Sequence, residues 1–360
     1  MLCQAALVNK QPIVKGQYRG CTYCYAAEGM PHDWESAAKY KRDELTTKQA
    51  INFLNKVSRM GVPRLSILGG EPQIRKDFDL IIQHACRVIP LVSMSTNSVG
   101  TRKHIGTLIK VPMLDISLDS HIREIGYKTR PPLVVDCAIS GIELLKEHPF
   151  LCLNTVVTPF NIERLLEFIE WAWEKGIKRV NLYPLLGNTH QDKNIKLSKQ
   201  QALELYTKLK ERYPFFYQNY CKSGKHLVVN YDGEILYCAA HLGQKSSRKT
   251  IDDLERIAQD QTMKEFGQYD FAAVAPADIL ASSGCPGKEL FDSQWIRPNV
   301  PKKKNEDEGD EKYCMRCNAK ADKTNTCRYC GFELFDNKPI TMTCTAFSVY
   351  NPTVFAGAFS

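Results

Sequence analysis

The chain has 360 residues, of which 43% are apolar and 24% are charged, a composition typical of a globular protein long enough for two domains. No apolar run reaches the roughly 18–20 residues that span a bilayer, and the N-terminus lacks a signal-peptide pattern, so we expect a cytoplasmic protein without membrane partners. The net charge of +8 is small for this length, and it neither requires nor excludes an acidic partner.

Strands and helices are predicted to alternate between about residues 45 and 185, which indicates a parallel sheet. Thr46 and Gln49 form a capping-box pattern at the start of the first helix, which Gly61 closes. Asn161 is expected to cap a later helix. The predicted strands lie near 5–8, 64–70, 91–97, 113–119, 150–157 and 178–185, and the main helices near 47–60, 77–89, 134–148 and 162–176.

The alternation fades after residue 190. One more amphipathic helix is predicted over 198–213, followed by a β-hairpin around Asp232-Gly233. Residues 301–312 are a charged run without large apolar residues, which predicts a linker. The predicted fold class is therefore α/β, with a partial (β/α)6 TIM-like barrel and a small cysteine-rich metal-binding C-terminal domain. The predicted divisions are 1–215 for the barrel, 216–300 for a hairpin and variable region, and 301–360 for the linker and cysteine-rich module.

Fourteen cysteines stand out in a chain of this composition. In a reducing compartment, clustered cysteines more often bind metal than form disulfides. Three cysteines lie in apolar periodic stretches and are predicted to be core residues, namely Cys86, Cys137 and Cys152. Six others form Cys-x-x-Cys pairs: Cys21/Cys24, Cys314/Cys317 and Cys327/Cys330.

Polar and glycine-rich motifs follow the predicted strands, at the end where barrel enzymes carry out their chemistry. They read LGGEP (68–72), STNS (95–98), SLDS (117–120), NTVVT (154–158) and YPLLG (183–187). In this order, and preceded by Cys21-x2-Cys24, the motifs resemble the radical SAM superfamily, within it the SPASM-type branch of sulfatase maturases and peptide-modifying enzymes. The family's Cys-x3-Cys-x2-Cys site is matched except at its first position, where Gln17 stands.

The resemblance implies a [4Fe–4S] cluster held by Cys21 and Cys24, with one iron left open to chelate S-adenosylmethionine (SAM). It implies reductive cleavage of SAM to a 5′-deoxyadenosyl radical, which abstracts hydrogen from a peptide or protein substrate, with flavodoxin or ferredoxin as electron donor. Glu71 would accept a hydrogen bond from the SAM ammonium group. No catalytic side chain is assigned. The implied cofactor-binding residues are Tyr23, Gly69, Gly70, Glu71, Pro72, Ser95, Asn97, Asp119, Asn154, Leu182 and Tyr183.

Gln17 departs from the family pattern, because a neutral amide oxygen is a poor iron ligand beside thiolates. Three accounts stay open. Gln17 replaces a ligand and leaves an impaired cluster; another cysteine, with Cys3 nearest upstream, supplies the third thiolate; or two cysteines and an exogenous ligand hold the cluster.

The late cysteines pose a second metal question. Cys221, Gly233 and Cys238 fit the SPASM opening pattern, but the later spacing differs from that of the family. An auxiliary iron–sulfur cluster and a zinc ribbon both remain open. Ala239 and Ala240 stand where sulfatase maturases place an acidic residue, so formylglycine formation is not carried over. The predicted ligands are Cys221, Cys238, Cys314, Cys317, Cys327, Cys330 and Cys344.

Two alternative functions belong to other classes. The first is a non-catalytic relative that binds SAM or a peptide with a degraded cluster site. The second is a zinc-ribbon protein that binds nucleic acid. No basic patch interleaved with aromatic residues supports the second, and nucleic acid is not an expected partner.

Overall fold

The computed structural model describes residues 20–24, 44–185, 195–213, 216–218, 228–236, 250–254 and 347–350. Its helices are α1 (Thr47–Arg59), α2 (Phe78–Val88), α3 (Thr101–Leu108), α4 (Arg123–Gly126), α5 (Pro132–Leu144), α6 (Leu165–Glu174) and α7 (Lys199–Arg212). Its strands are β1 (Arg64–Ile67), β2 (Leu91–Thr96), β3 (Met113–Ser117), β4 (Leu151–Val156), β5 (Arg179–Tyr183), β6 (Phe216–Gln218), β7 (Val228–Val229), β8 (Ile235–Leu236) and β9 (Phe347–Tyr350). Within these ranges, no helix is both long enough and apolar enough to cross a bilayer.

Strands β1 to β5 form a parallel sheet in chain order, and each is connected to the next through at least one helix. This arrangement confirms the predicted α/β partial-barrel fold. The predicted strand near residues 5–8 lies outside the described residues, so the sixth parallel strand stays a prediction. Parallel strands in chain order bring their carboxyl ends to one edge, and this edge is where the candidate site lies.

Strand β9 was not predicted from the sequence. It pairs antiparallel with β5 on one side and antiparallel with β6 on the other. Arg179 of β5 stands opposite Tyr350, so the chain returns to the barrel sheet after the cysteine-rich stretch. The local sequence gives no indication of this return, because the pairing joins segments more than 150 residues apart.

Alternation along the strands divides the sheet into an apolar face and a polar face. Leu114, Leu153 and Leu182 belong to the core that the sheet shares with the helices. The side chains on the opposite face include Asp115 and Asn154. A parallel sheet packed on both faces usually consists of apolar runs, so the polar face marks the inside of the barrel.

Several local predictions agree with the structure. Thr46 and Gln49 form the capping box of α1, and Gly61 follows that helix with φ of +74°. The hairpin of β7 and β8 turns through Gly233 at φ of +88°. Asn161 occupies the predicted N-cap position, before a 3-10 turn, but its side chain makes no capping hydrogen bond and its amide donates to Asp119 O and Val156 O.

Candidate active site at the carboxyl ends of the strands

A row of polar side chains joins three strands inside the barrel. Asn154 of β4 donates from Nδ2 to Ser95 Oγ at 3.1 Å. Its Oδ1 accepts from Asn181 Nδ2 at 2.9 Å and from the Tyr183 hydroxyl at 3.4 Å. Asn154 therefore connects β2, β4 and β5 at their carboxyl ends, where Ser95, Asn154 and Tyr183 remain half-buried and accessible.

A charged layer lies deeper on the same face. Arg179 is fully buried, and its Nη2 lies 3.5 Å from Asp115 Oδ1, which also accepts from Asn181 Nδ2 at 3.3 Å. Burial raises the pKa of Asp115, while the charges of Arg179 and Arg64 oppose that rise. Sequence reasoning missed this layer, although charged residues in otherwise buried strands were a signal for it.

Cys152 lies beside this charged layer. It is buried, as predicted for a core cysteine, but it faces the polar interior, where it contacts Asp115. Cys86 and Cys137 are only half-buried. The prediction of a core residue is therefore confirmed for Cys152, while Cys86 packs against the core from a half-buried position and Cys137 is half-buried.

Glu71 connects the ends of β1 and β2. Its Oε1 accepts from Thr96 Oγ1 at 2.8 Å and from the Gln73 amide at 3.2 Å, and its Oε2 accepts from the Asn97 amide at 2.7 Å. The carboxylate has no exposed surface, and burial raises its pKa from 4.5 to about 7 against the opposing effect of these hydrogen bonds. Glu71 thus holds two loops together through protein donors, and its expected contact with a SAM ammonium group stays a prediction.

The neighbours of Glu71 form the rest of this turn. Gly69 has φ of +149°, a conformation that side chains disfavour, and its backbone is exposed. Pro72 is buried at the start of a short 3-10 turn. Asn97 is nearly buried, and its Oδ1 accepts from the Val99 amide at 3.0 Å. Gly69 and the half-buried Gly70 are therefore the members of this motif that offer accessible backbone.

The Cys21–Cys24 segment forms a turn, in which the Cys24 amide donates to Cys21 O at 3.1 Å. The turn rests on the segment after α4, because the Thr22 amide donates to Thr129 O at 2.9 Å. The Tyr23 hydroxyl donates to Asp119, the second residue after β3. Burial raises the pKa of Tyr23 well above its usual value, so the phenol keeps the proton that it donates.

Asp119 is almost fully buried, and its carboxylate accepts only from protein donors in the described structure. Besides Tyr23, these are Thr129 Oγ1 at 2.9 Å, the Val156 amide at 3.0 Å and the Arg130 guanidinium. These contacts let Asp119 position the groups around it, and its predicted role in cofactor binding stays a prediction. Sequence reasoning missed Arg130, which no motif marked.

The side chain of Leu182 points away from the other predicted cofactor-binding residues of the strand ends. It is fully buried in the core between the sheet and the helices, on the face of β5 opposite Tyr183. Its side chain therefore does not line the barrel interior, and only its backbone is available to an adenine ring.

The described part of the site fits the implied cofactors. Cys21 and Cys24 are half-buried soft ligands of the type that iron–sulfur clusters prefer. The accessible amide and hydroxyl groups of Ser95, Asn154 and Tyr183 suit the polar parts of SAM. Gln17 and the predicted ligands Cys221, Cys238, Cys314, Cys317, Cys327, Cys330 and Cys344 lie outside the described residues, so the auxiliary metal site stays a prediction.

Comparison with known proteins gives the family. The family model of the Radical SAM superfamily matches residues 18–196. The barrel of this chain is a radical SAM domain. Members of this superfamily are enzymes, which confirms the predictions of the superfamily and of an enzyme. The matched range begins one residue after Gln17, so it leaves the substitution at the first cysteine position untested.

Relatives of this radical SAM domain differ in the reactions that their names describe. The GTP 3′,8-cyclase of Nautilia profundicola is 25% identical over 247 residues, which cover 61% of this chain and 76% of that protein. The mycofactocin maturase MftC of Mycobacterium tuberculosis is 28% identical over 195 residues, which cover 52% of this chain and 47% of the maturase. The chain spans about half the length of most of the curated relatives it matches.

Solved structures support the radical SAM fold. SuiB of Streptococcus suis, in a crystal structure with bound S-adenosylmethionine, superposes with a TM-score of 0.55 at 17% identity, covering 77% of this chain and 72% of SuiB. The structure of anSMEcpe, with bound S-adenosylmethionine and a peptide, gives a TM-score of 0.54 at 15% identity, covering 76% of this chain and 87% of anSMEcpe. At these identities the likeness concerns the fold.

Proposed function

We propose that the chain is a radical SAM enzyme that holds a [4Fe–4S] cluster at Cys21 and Cys24 and binds SAM across the carboxyl ends of the strands. The observation that carries this proposal is the attachment of the cysteine turn to the strand ends. Asp119, just after β3, accepts from Tyr23 of the turn and from the Val156 amide at the end of β4. The two thiols are thereby fixed at the edge where Asn154 and its neighbours are accessible.

The residues of the chain position the cofactors. A bound cluster would supply the electron that cleaves SAM to methionine and a 5′-deoxyadenosyl radical. Ser95, Asn154 and Tyr183 offer hydrogen-bonding groups to the polar parts of SAM, and the exposed backbone at Gly69 leaves room for a close approach. Glu71 keeps these loops in register and is proposed to accept a hydrogen bond from the SAM ammonium group.

Gln17 is proposed to stand in the place of the third ligand, which weakens the cluster without removing the fold. Two other possibilities remain for the third ligand of the cluster. It could be an external molecule, or it could be a thiolate from elsewhere in the chain, such as Cys3. Gln17→Cys separates them, because a restored thiolate raises the iron content only when position 17 is a ligand position.

The proposed reaction is hydrogen abstraction from a peptide or protein. Support comes from the relatives, since MftC is named a maturase and SuiB was crystallised with the precursor peptide SuiA. The competing substrate is a nucleotide, which the name GTP 3′,8-cyclase suggests. Adding GTP to the reconstituted protein tests this point: we expect no increase in SAM cleavage, and an increase would assign the substrate to the nucleotides.

Metal analysis after anaerobic reconstitution with iron and sulfide tests the cluster site. We expect the reconstituted protein to contain iron and to show the electron paramagnetic resonance (EPR) signal of a reduced cluster. In Cys21→Ser, the iron content and the intensity of this signal should both be lower. The matched control is Cys86→Ser, a half-buried cysteine on α2 away from the strand ends, which should retain both. SAM binding without any iron would favour the non-catalytic relative. If the iron content and the EPR signal of Cys21→Ser equal those of the natural protein, the proposed site is contradicted.

The remaining parts of the proposal concern regions outside the described residues. The late cysteines are proposed to hold an auxiliary iron–sulfur cluster or zinc, and the metal found in the same analysis distinguishes the two. Zinc alone, together with salt-dependent binding of RNA or DNA, would favour the nucleic-acid-binding alternative. Flavodoxin or ferredoxin is the proposed electron donor, and the reducing cytoplasm is the proposed location.

A further inference from the structure

Arg130 lies between a buried carboxylate and a cysteine of the proposed cluster site. Its Nε donates to Asp119 Oδ2 at 2.8 Å and its Nη2 donates to Asp119 Oδ1 at 3.1 Å, a bidentate pair. The third guanidinium nitrogen, Nη1, lies 3.9 Å from Cys21 Sγ, to which it donates. The side chains of Arg130 and Asp119 are 7% and 1% exposed, so little water screens this charged pair.

We propose that Arg130 is a positioning residue of the iron–sulfur site, which tunes the reduction potential of the cluster through Cys21. The inference rests on the proposed function, because it requires a cluster at Cys21. Asp119 holds the edge of the guanidinium formed by Nε and Nη2, and the remaining nitrogen, Nη1, is directed towards the sulfur. The Arg130–Asp119 pair therefore acts as a fixed dipole whose positive end points at Cys21.

The sign of the effect follows from charge. A reduced cluster carries one more negative charge than an oxidised cluster, so a positive group beside a ligand sulfur stabilises the reduced form and raises the potential. Arginine is suited to this role because its guanidinium keeps its charge and has enough donors for both partners. Lysine would keep the charge but could not make the bidentate contact together with the contact to sulfur.

A purely structural role is the alternative that an experiment must exclude. The segment that carries Arg130 also supports the cysteine turn through its backbone, since Thr129 O accepts from the Thr22 amide. Loss of this support would loosen the site in the same way whichever member of the pair is replaced. Tuning by charge predicts opposite effects of replacing Arg130 and Asp119.

The test is an EPR-monitored redox titration of the reconstituted protein, both with Gln17 and in the Gln17→Cys background. In Arg130→Met we expect about a tenfold shift of the reduced-to-oxidised ratio towards the oxidised form, about 59 mV more negative for a one-electron couple. Asp119→Asn removes the opposing negative charge, so its potential should become more positive. Thr129→Val removes a neutral hydrogen bond to Asp119, and its potential should stay unchanged.

Arg130→Lys keeps the test informative if Arg130→Met or Asp119→Asn does not fold. Its potential should be more negative than that of the natural protein, but by less than the shift of about 59 mV expected for Arg130→Met. Equal potentials in all variants, or shifts of the Arg130 and Asp119 variants in the same direction, would overturn the tuning role while the proposed function stands. No cluster in either the natural protein or Gln17→Cys would overturn the proposed function, and the inference with it.

Discussion

Glu71 makes the stability of the barrel depend on pH in a way that a glutamine would remove. The carboxylate is buried between the ends of β1 and β2, and burial raises its pKa from 4.5 to about 7. Between these two pH values the native state keeps a proton that the unfolded chain has released. The free energy of unfolding therefore falls as the pH rises through this window, and the loss is complete above pH 7.

The magnitude follows from the same two pKa values. Each pH unit of difference corresponds to about 1.36 kcal/mol, so the full loss is about 3 kcal/mol. Glu71→Gln retains the shape of the protonated side chain and has no charge to bury. Relative to the natural protein, the variant should therefore gain about 3 kcal/mol in unfolding free energy between pH 4.5 and pH 8.

Urea unfolding of the reduced, metal-free protein, followed by tryptophan fluorescence at a series of pH values, measures this difference. Trp171 and Trp173 on α6 place reporters in the barrel. The matched control is Glu124→Gln, an exposed glutamate on α4, for which the difference from the natural protein should not change across the window. A difference for Glu71→Gln that stays flat, or that falls with rising pH, would refute the reasoning.

Three further predictions concern packing, charge and ligand binding. Asp119→Asn leaves a buried arginine unpaired and should lower the unfolding free energy by about 3–5 kcal/mol in the same urea assay. Asp136→Asn breaks an exposed ion pair and should lower it by less than about 1 kcal/mol. Gly141→Ala would place its Cβ 2.7 Å from a serine hydroxyl oxygen and should lower the unfolding free energy by about 1–3 kcal/mol. The Cβ of Gly106→Ala would meet nothing within 4 Å, and this variant should raise the unfolding free energy by up to about 1 kcal/mol. Thermal unfolding of the two variants measures the difference. Asn154→Ala should weaken SAM binding about five- to tenfold in calorimetry, because it removes hydrogen-bonding groups worth about 1 kcal/mol, and unchanged affinity would place SAM elsewhere.

The parallel sheet could be predicted because its signals are local. Capping residues such as Thr46, turn glycines such as Gly61 and alternating apolar stretches lie within a few positions of the elements they define. The resemblance of the strand-end motifs to radical SAM enzymes then located the site at one edge. Both predictions depend on order along the chain, which the sequence displays directly.

The parts that could not be predicted depend on contacts between distant segments. Strand β9 joins β5 across more than 150 residues, and a four-residue strand has too little local pattern to reveal its partner. Arg130 reaches Cys21 across a sequence separation of 109 residues, and Asp119 accepts from donors in segments that lie far apart in the chain. The direction of the Leu182 side chain depends on strand register, in which a one-residue difference exchanges the two faces.

SAM cleavage by the reconstituted protein tests the central claim most directly. The protein is reduced with dithionite under anaerobic conditions, and 5′-deoxyadenosine is measured by chromatography. The proposed function predicts this product from the natural protein, a larger amount from Gln17→Cys and none from Cys24→Ser. Absence of the product from both the natural protein and Gln17→Cys, each shown to be folded, would contradict it.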